Sequence, residues 1–139
     1  RRYALTCIVF APESPELGDA TTEEVATRLA AAVGEALRRA GRSSDAIGRL
    51  GPLEFAVIAP ATGPAAALKL VDRLRETVET HPVPMNGGPP AAMGLRAGYF
   101  AVPDFHDAAL DATEMLLRAT TALRTLKVDG AGTLRAFEN

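Results

Sequence analysis

Apolar and polar positions follow two rhythms along the chain, and each change of rhythm marks a change of element. Residues 3–10 (Tyr-Ala-Leu-Thr-Cys-Ile-Val-Phe) form a short, mostly apolar run rich in β-formers, stopped by Pro12, and read as a buried strand. Residues 12–20, mostly Pro, Glu, Ser, Gly and Asp, read as a loop. Thr21 and Glu24 have capping-box spacing, and Val25, Leu29, Ala32, Ala36 and Leu37 then recur at helical spacing. A helix over about 22–40 follows, with Gly41 at its C-cap. Two short runs, 45–50 and 54–59, flank Gly51, Pro52 and Leu53 and predict a hairpin. Ala67, Val71, Leu74 and Val78 share one stripe of a helix over 64–80. Residues 81–93, with four prolines and two glycines, are loop, and 94–102 make another strand. Asp111 and Glu114 repeat the capping-box pattern and open a helix to about 127, with Ala112, Leu116, Ala119, Leu123 and Leu126 inward. Gly130 to Phe137 supply a final short strand.

The order β-α-β-β-α-β-α-β predicts an α/β (α+β) fold, a mixed sheet of about five strands with helices packed on it, because the helices cross between strands that no tight turn can join. A length of 139 residues allows one domain with one core, so residues 1–139 are taken as a single domain. The 47% apolar content argues against disorder, and a net charge of -2 argues against a nucleic-acid footprint. The single cysteine, Cys7, excludes an internal disulfide and suits a reducing, cytoplasmic setting. No apolar run has the length of a membrane span, and no signal peptide is evident, so no membrane contact is expected of this segment. The chain opens Arg1-Arg2 without Met, and the expectation is a fragment of a longer multidomain protein.

At the central hairpin the stretch from Arg42 to Ile58, RSSDAIGRLGPLEFAVI, resembles the GGDEF domain of diguanylate cyclases. Arg49 and Leu50 stand where that family has Arg-Leu, and the signature reads Gly51, Pro52, Leu53, Glu54, Phe55. Arg73, Leu74 and Arg75 look like the family's arginine-bearing helix, and Arg96, Ala97 and Gly98 like its Ser-Ile-Gly strand. Leu116, Leu117, Ala119, Ala122, Leu123, Lys127 and Gly130 look like its closing helix and Ala-Lys tail. The resemblance implies a palm-like, ferredoxin-like sheet and a role in bacterial cyclic di-GMP signal transduction.

It also implies chemistry that these residues lack. The family holds two divalent metals, Mg2+ or Mn2+, with an aspartate ending the first strand and the third signature residue; such cations need anionic oxygens. Here the first strand ends Val9, Phe10, Ala11, Pro12, Glu13 lies beyond the proline, and the third signature position is Leu53. Glu54 is a lone carboxylate, and no metal or other cofactor is expected. Pro52 replaces a glycine that lets backbone approach the nucleotide. The family's guanine-reading asparagine has no counterpart, since the only asparagines are Asn86 and Asn139. Lys127 matches a phosphate-contacting lysine, or else serves as a solvated charge in the last helical turn. The expectation is a degenerate domain without catalytic residues, and not an enzyme.

The family's product-binding site has the pattern Arg-x-x-Asp five residues before the signature, which Arg42 and Asp45 fit. A guanidinium can take a phosphate or a guanine edge, and a carboxylate can accept from guanine. A further arginine would come from the next helix, Arg73 before Arg75. The structural alternative keeps Asp45 as a tie at the strand entrance and Arg42 as a solvated charge. Elsewhere, His81 and His106 stand 25 positions apart without ligand spacing, and Cys7 reads as core. Arg38, Arg39 and Arg42 read as a helix-end cluster, and Gly87-Gly88 as no phosphate loop. Three functions remain: a cyclic di-GMP sensor; a ligand-free module for homodimerisation or relay to a neighbouring sensor or effector domain; and, ranked last, a residual GTP binder or cyclase.

Overall fold

The computed structural model describes residues 3–13, 23–42, 44–51, 53–80, 94–106, 108–129 and 134–137. The chain runs β1 (Leu5–Glu13), α1 (Glu23–Ala40), β2 (Ala46–Gly51), β3 (Glu54–Pro60), α2 (Pro64–Glu79), β4 (Gly94–Val102), α3 (Ala112–Asp129) and β5 (Leu134–Ala136). These elements form a five-stranded sheet in the order β2-β3-β1-β4-β5. β1 lies at its centre, antiparallel to β3 and β4; β2 is antiparallel to β3, and β5 is parallel to β4. It follows that β1 and β2 run parallel with β3 between them, and β3 and β4 run parallel with β1 between them. Only long crossovers, α1 and α2, can make those connections. The first four strands are thus ferredoxin-like, and α3 carries the chain to a fifth.

β1 is continuously apolar because both faces of the sheet are covered. Its odd positions Cys7, Val9 and Ala11 join Met115, Ala119 and Leu123 of α3 in one buried layer. Its even positions Ile8 and Phe10 join Leu29, Val33 and Leu37 of α1 and Leu70, Val71 and Leu74 of α2 in the other. The side-chain period of two in a strand assigns each residue to its layer. Gly98 on β4 sets how closely α3 approaches: a Cβ there would stand 2.2 Å from the Leu123 nitrogen and 2.5 Å from the Ala119 oxygen. Only a residue without a side chain allows this contact.

Three details differ from the pattern read along the chain. Pro12 does not end the first strand, because β1 continues to Glu13. Its pairing with β3 ends at Phe10↔Phe55, whereas its pairing with β4 continues through Pro12↔Leu95 to Glu13↔Gly94. At Pro12 the strand has one neighbour, so a missing N–H costs little on the open side. Ala112 is exposed and Met115 fills the core instead, placing the inward stripe of α3 one turn later. The last strand is confined to Leu134–Ala136. Thr21 and the Glu24 side chain of the expected capping box, the loop 81–93 and Pro52 lie outside the described residues. At α3, Asp111 Oδ1 accepts from the Glu114 N–H at 2.8 Å, while the Glu114 carboxylate meets Arg118 at 3.2 Å instead of closing the box. No described helix is long and apolar enough to cross a membrane.

Candidate functional site

Two places hold the residues singled out above. The first is the hairpin tip, beside the end of β1. β2 and β3 pair from Ala46↔Ile58 to Gly51↔Glu54, with an irregularity between Arg49 and Gly51. Phe55 and Val57 point into the α1–α2 layer, so the alternation puts Glu54 on the opposite face, the side of α3. Val9 and Ala11, on that same face of β1, are buried apolar residues. Leu53 packs against the α1–α2 core. Glu54 has its carboxylate 3.8 Å from Arg124 Nη2 of α3, with 23% of its side chain exposed.

A pair of divalent cations asks for several anionic oxygens. Val9, Ala11 and Leu53 offer none, and Glu54 already faces a cation. Among the described residues no three His, Cys, Asp or Glu side chains converge on one point. A larger cleft of about 440 Å³ lies between α1 and β2, with Thr27, Gly34, Arg38, Gly48 and Arg49 on its walls. Its carboxylate, Glu35, pairs with Arg39 at 3.2 Å. These residues do not fit a two-metal site. The side chains of Glu13 and Lys127, at the ends of β1 and α3, lie outside the described residues.

The second place is the turn between α1 and β2. Asp45 Oδ2 accepts from the Arg42 N–H at 2.9 Å, and Oδ1 accepts from Arg42 Nη2 at 3.0 Å. The Asp45 side chain is 0% exposed and that of Arg42 is 41% exposed. Arg42 Nη2 also donates to the Pro60 carbonyl at 3.0 Å and to Thr62 Oγ1. Ala61, between those two acceptors, adopts a left-handed φ of 54°, which turns the chain so that both face Arg42. Thr62 is itself buried, and its carbonyl accepts from Thr6 Oγ1 of β1 at 2.7 Å. The Arg42 head is therefore anchored to the centre of the sheet by the next turn of chain.

Arg42 opens onto a small pocket of about 180 Å³ that it shares with Thr62, Ala66, Lys69, Leu70 and Arg73. Residues 66, 69, 70 and 73 share one face of α2 by helical spacing. Arg73 thus stands with Arg42. Arg75 is turned away, meeting Asp72 at 3.1 Å and Glu79 at 3.2 Å. Lys69 is the member that sequence reasoning missed. Its position one helical turn before Arg73 was the available signal. Cys7 is fully buried, and burial pushes its thiol from the ordinary 9.0 up to about 11, away from any reactive role.

The family described as "Diguanylate cyclase, GGDEF domain" matches residues 16–133. No significant match is found among curated proteins. Among solved structures, the GGDEF domain of DgcB from Caulobacter crescentus, in complex with c-di-GMP, is similar with a TM-score of 0.80 at 16% identity, covering 99% of this chain and 80% of that one. The active GGEEF domain of a diguanylate cyclase from Vibrio cholerae gives a TM-score of 0.77 at 18% identity, covering 98% and 84%. A sensory box/GGDEF family protein from Caulobacter crescentus gives 0.76 at 28% identity, covering 92% and 81%.

Proposed function

From the premise that the chain belongs to the GGDEF domain family, we propose that it is a non-catalytic member serving cyclic di-GMP signalling as a binding module. The observation that carries this reading is the composition of the ground between β1 and the hairpin tip. Val9, Ala11 and Leu53 bring no anionic oxygen to that ground, and Glu54 is drawn toward Arg124. Two-metal phosphoryl transfer depends on cations that clamp both attacking and leaving oxygens. Without them, neither activation of a hydroxyl nor charge neutralisation at phosphorus has a source.

The binding half of the proposal rests on Arg42, Asp45 and Arg73. Arg42 is held by its own Asp45, by Pro60 and by Thr62, so its orientation is fixed before any ligand arrives. A fixed guanidinium loses little entropy on binding an anion. Arg73 brings a second guanidinium to the same pocket. DgcB, of similar fold, binds c-di-GMP, which makes this dinucleotide the first ligand to test. Calorimetric titration with cyclic di-GMP is expected to give saturable binding that Arg42→Ala and Arg73→Ala both weaken. An identical absence of heat for all three proteins refutes the ligand and leaves a relay or dimerisation module.

A further inference from the structure

We infer that the buried hydroxyls of Thr6 and Thr62 form a relay that sets the aim of Arg42, so that Thr6, which no ligand can touch, is a positioning residue for ligand binding. The inference rests on the cyclic di-GMP reading above and extends it to the strand beneath the pocket.

The relay has no account in core stability. Among the described residues the two buried polar ones are Thr6, 0% exposed, and Thr62, 2% exposed. Thr6 shares a face of β1 with Ile8 and Phe10, where a valine would fill the same space with no polar atom. A buried hydroxyl without a partner costs free energy, and one with a partner gains little over an apolar side chain. What the pair supplies is geometry: Thr6 Oγ1 donates to the Thr62 carbonyl at 2.7 Å, across 56 positions of chain.

Thr62 passes that constraint on. Its hydroxyl donates to the Pro60 carbonyl at 3.1 Å, which commits the proton and leaves the oxygen's lone pairs to accept from Arg42 Nη2. The Pro60 carbonyl and Asp45 Oδ1 accept from the same nitrogen, each at 3.0 Å. Two of these three acceptors belong to the turn Pro60–Thr62, whose middle residue, Ala61, has a φ of 54°. A non-glycine residue persists there only where its surroundings hold it. Strand pairing of Leu5 with Pro60 holds the near side of the turn, and the Thr6 hydroxyl holds the far side. Thr6 itself is not among the residues around the pocket, so a change there reaches the ligand only through Thr62 and Arg42.

The test compares the 139-residue chain with Thr6→Val, Thr6→Ser and Thr62→Val, by cyclic di-GMP titration and by side-chain NMR of the unliganded proteins, with thermal melting as the check on folding. A held Arg42 guanidinium gives separate Nη signals, assigned by their loss in Arg42→Ala. Thr6→Val is expected to merge those signals and to weaken binding by about threefold to tenfold, the effect of one hydrogen bond's worth of ordering. Thr6→Ser, which keeps the hydroxyl, is expected to restore both. Thr62→Val, which breaks the relay without touching β1, is expected to weaken binding at least as much as Thr6→Val. Parent affinity or separate Nη signals in either valine variant overturn the inference and leave the cyclic di-GMP reading standing. A loss that Thr6→Ser shares in full is a packing effect and overturns it too. Absence of binding by the parent chain overturns both the inference and the reading beneath it.

Discussion

The Glu54 carboxylate lies 3.8 Å from Arg124 Nη2, across the gap between the hairpin and α3. A signature carboxylate thus faces an arginine side chain. The Arg124 side chain is 65% exposed, so solvent screens the pair and its contribution is small, about 0–1 kcal/mol. Arg124→Ala is expected to change the urea midpoint barely, and to leave GTP unconverted, because removing a cation supplies no missing oxygen. Recovery of turnover in that variant would show that Arg124 had been suppressing an intact site.

Asp45 and Arg42 are unequal partners. Asp45→Ala removes the buried acceptor of two hydrogen bonds and is expected to cost about 1–3 kcal/mol in chemical denaturation. Arg42→Ala deletes the half-exposed guanidinium and leaves a buried carboxylate that keeps the residue 42 N–H as donor but loses its counter-ion. It is expected to cost at least as much as Asp45→Ala and to weaken ligand binding more. A cost well below that of Asp45→Ala would contradict the enclosure of the Asp45 carboxylate.

Gly98 and Gly48 provide a matched pair. Gly98→Ala drives a Cβ into the backbone of α3, and overpacking of this kind is expected to cost about 3 kcal/mol or to prevent folding. Gly48, on the edge strand β2, has nothing within 4 Å of an added Cβ. Gly48→Ala is expected to shift stability by no more than about 0.5 kcal/mol. Comparable melting temperatures for the two variants would refute the close approach of α3 to the sheet.

Cys7 gives a pH dependence of known sign. Burial raises its folded value from 9.0 to about 11, so between those values the unfolded chain holds fewer protons than the folded one. Unfolding free energy therefore falls as pH rises through that window, by up to about 1.4 kcal/mol per unit. Below pH 9 the term is fully present. Cys7→Ala, which removes the thiol, is expected to flatten this alkaline decline relative to the parent chain. An unchanged slope, or fast native-state reaction of the thiol with a disulfide reagent at pH 8, would show that Cys7 is not sealed in the core.

Much of the fold was legible because local rhythm and burial agree. The alternation through Cys7, Ile8, Val9 and Phe10 implied a strand covered on both faces, and both layers are present. The stripe Ala67, Val71, Leu74, Val78 is buried throughout. Pro12 misled because a proline's cost depends on whether its side of the strand is paired, a fact fixed by where β3 ends and not by neighbours in sequence. Met115 was passed over because a helix's inward direction is set by the sheet beneath it.

Of the candidate site, the apolar character of Val9, Ala11 and Leu53 was visible as residue types alone. The anchoring of Arg42 was not, since it depends on Pro60 and Thr62 reaching Arg42 across 18 and 20 positions of chain. The choice between Arg73 and Arg75 likewise turned on Asp72 and Glu79, which claim Arg75.

The central claim concerns the space between the end of β1 and the hairpin tip. A crystal of this chain soaked with magnesium and a non-hydrolysable GTP analogue examines that space directly. The account predicts no ordered cation within coordination distance of Glu54; two ordered cations there, bridging the protein and a triphosphate, would contradict it.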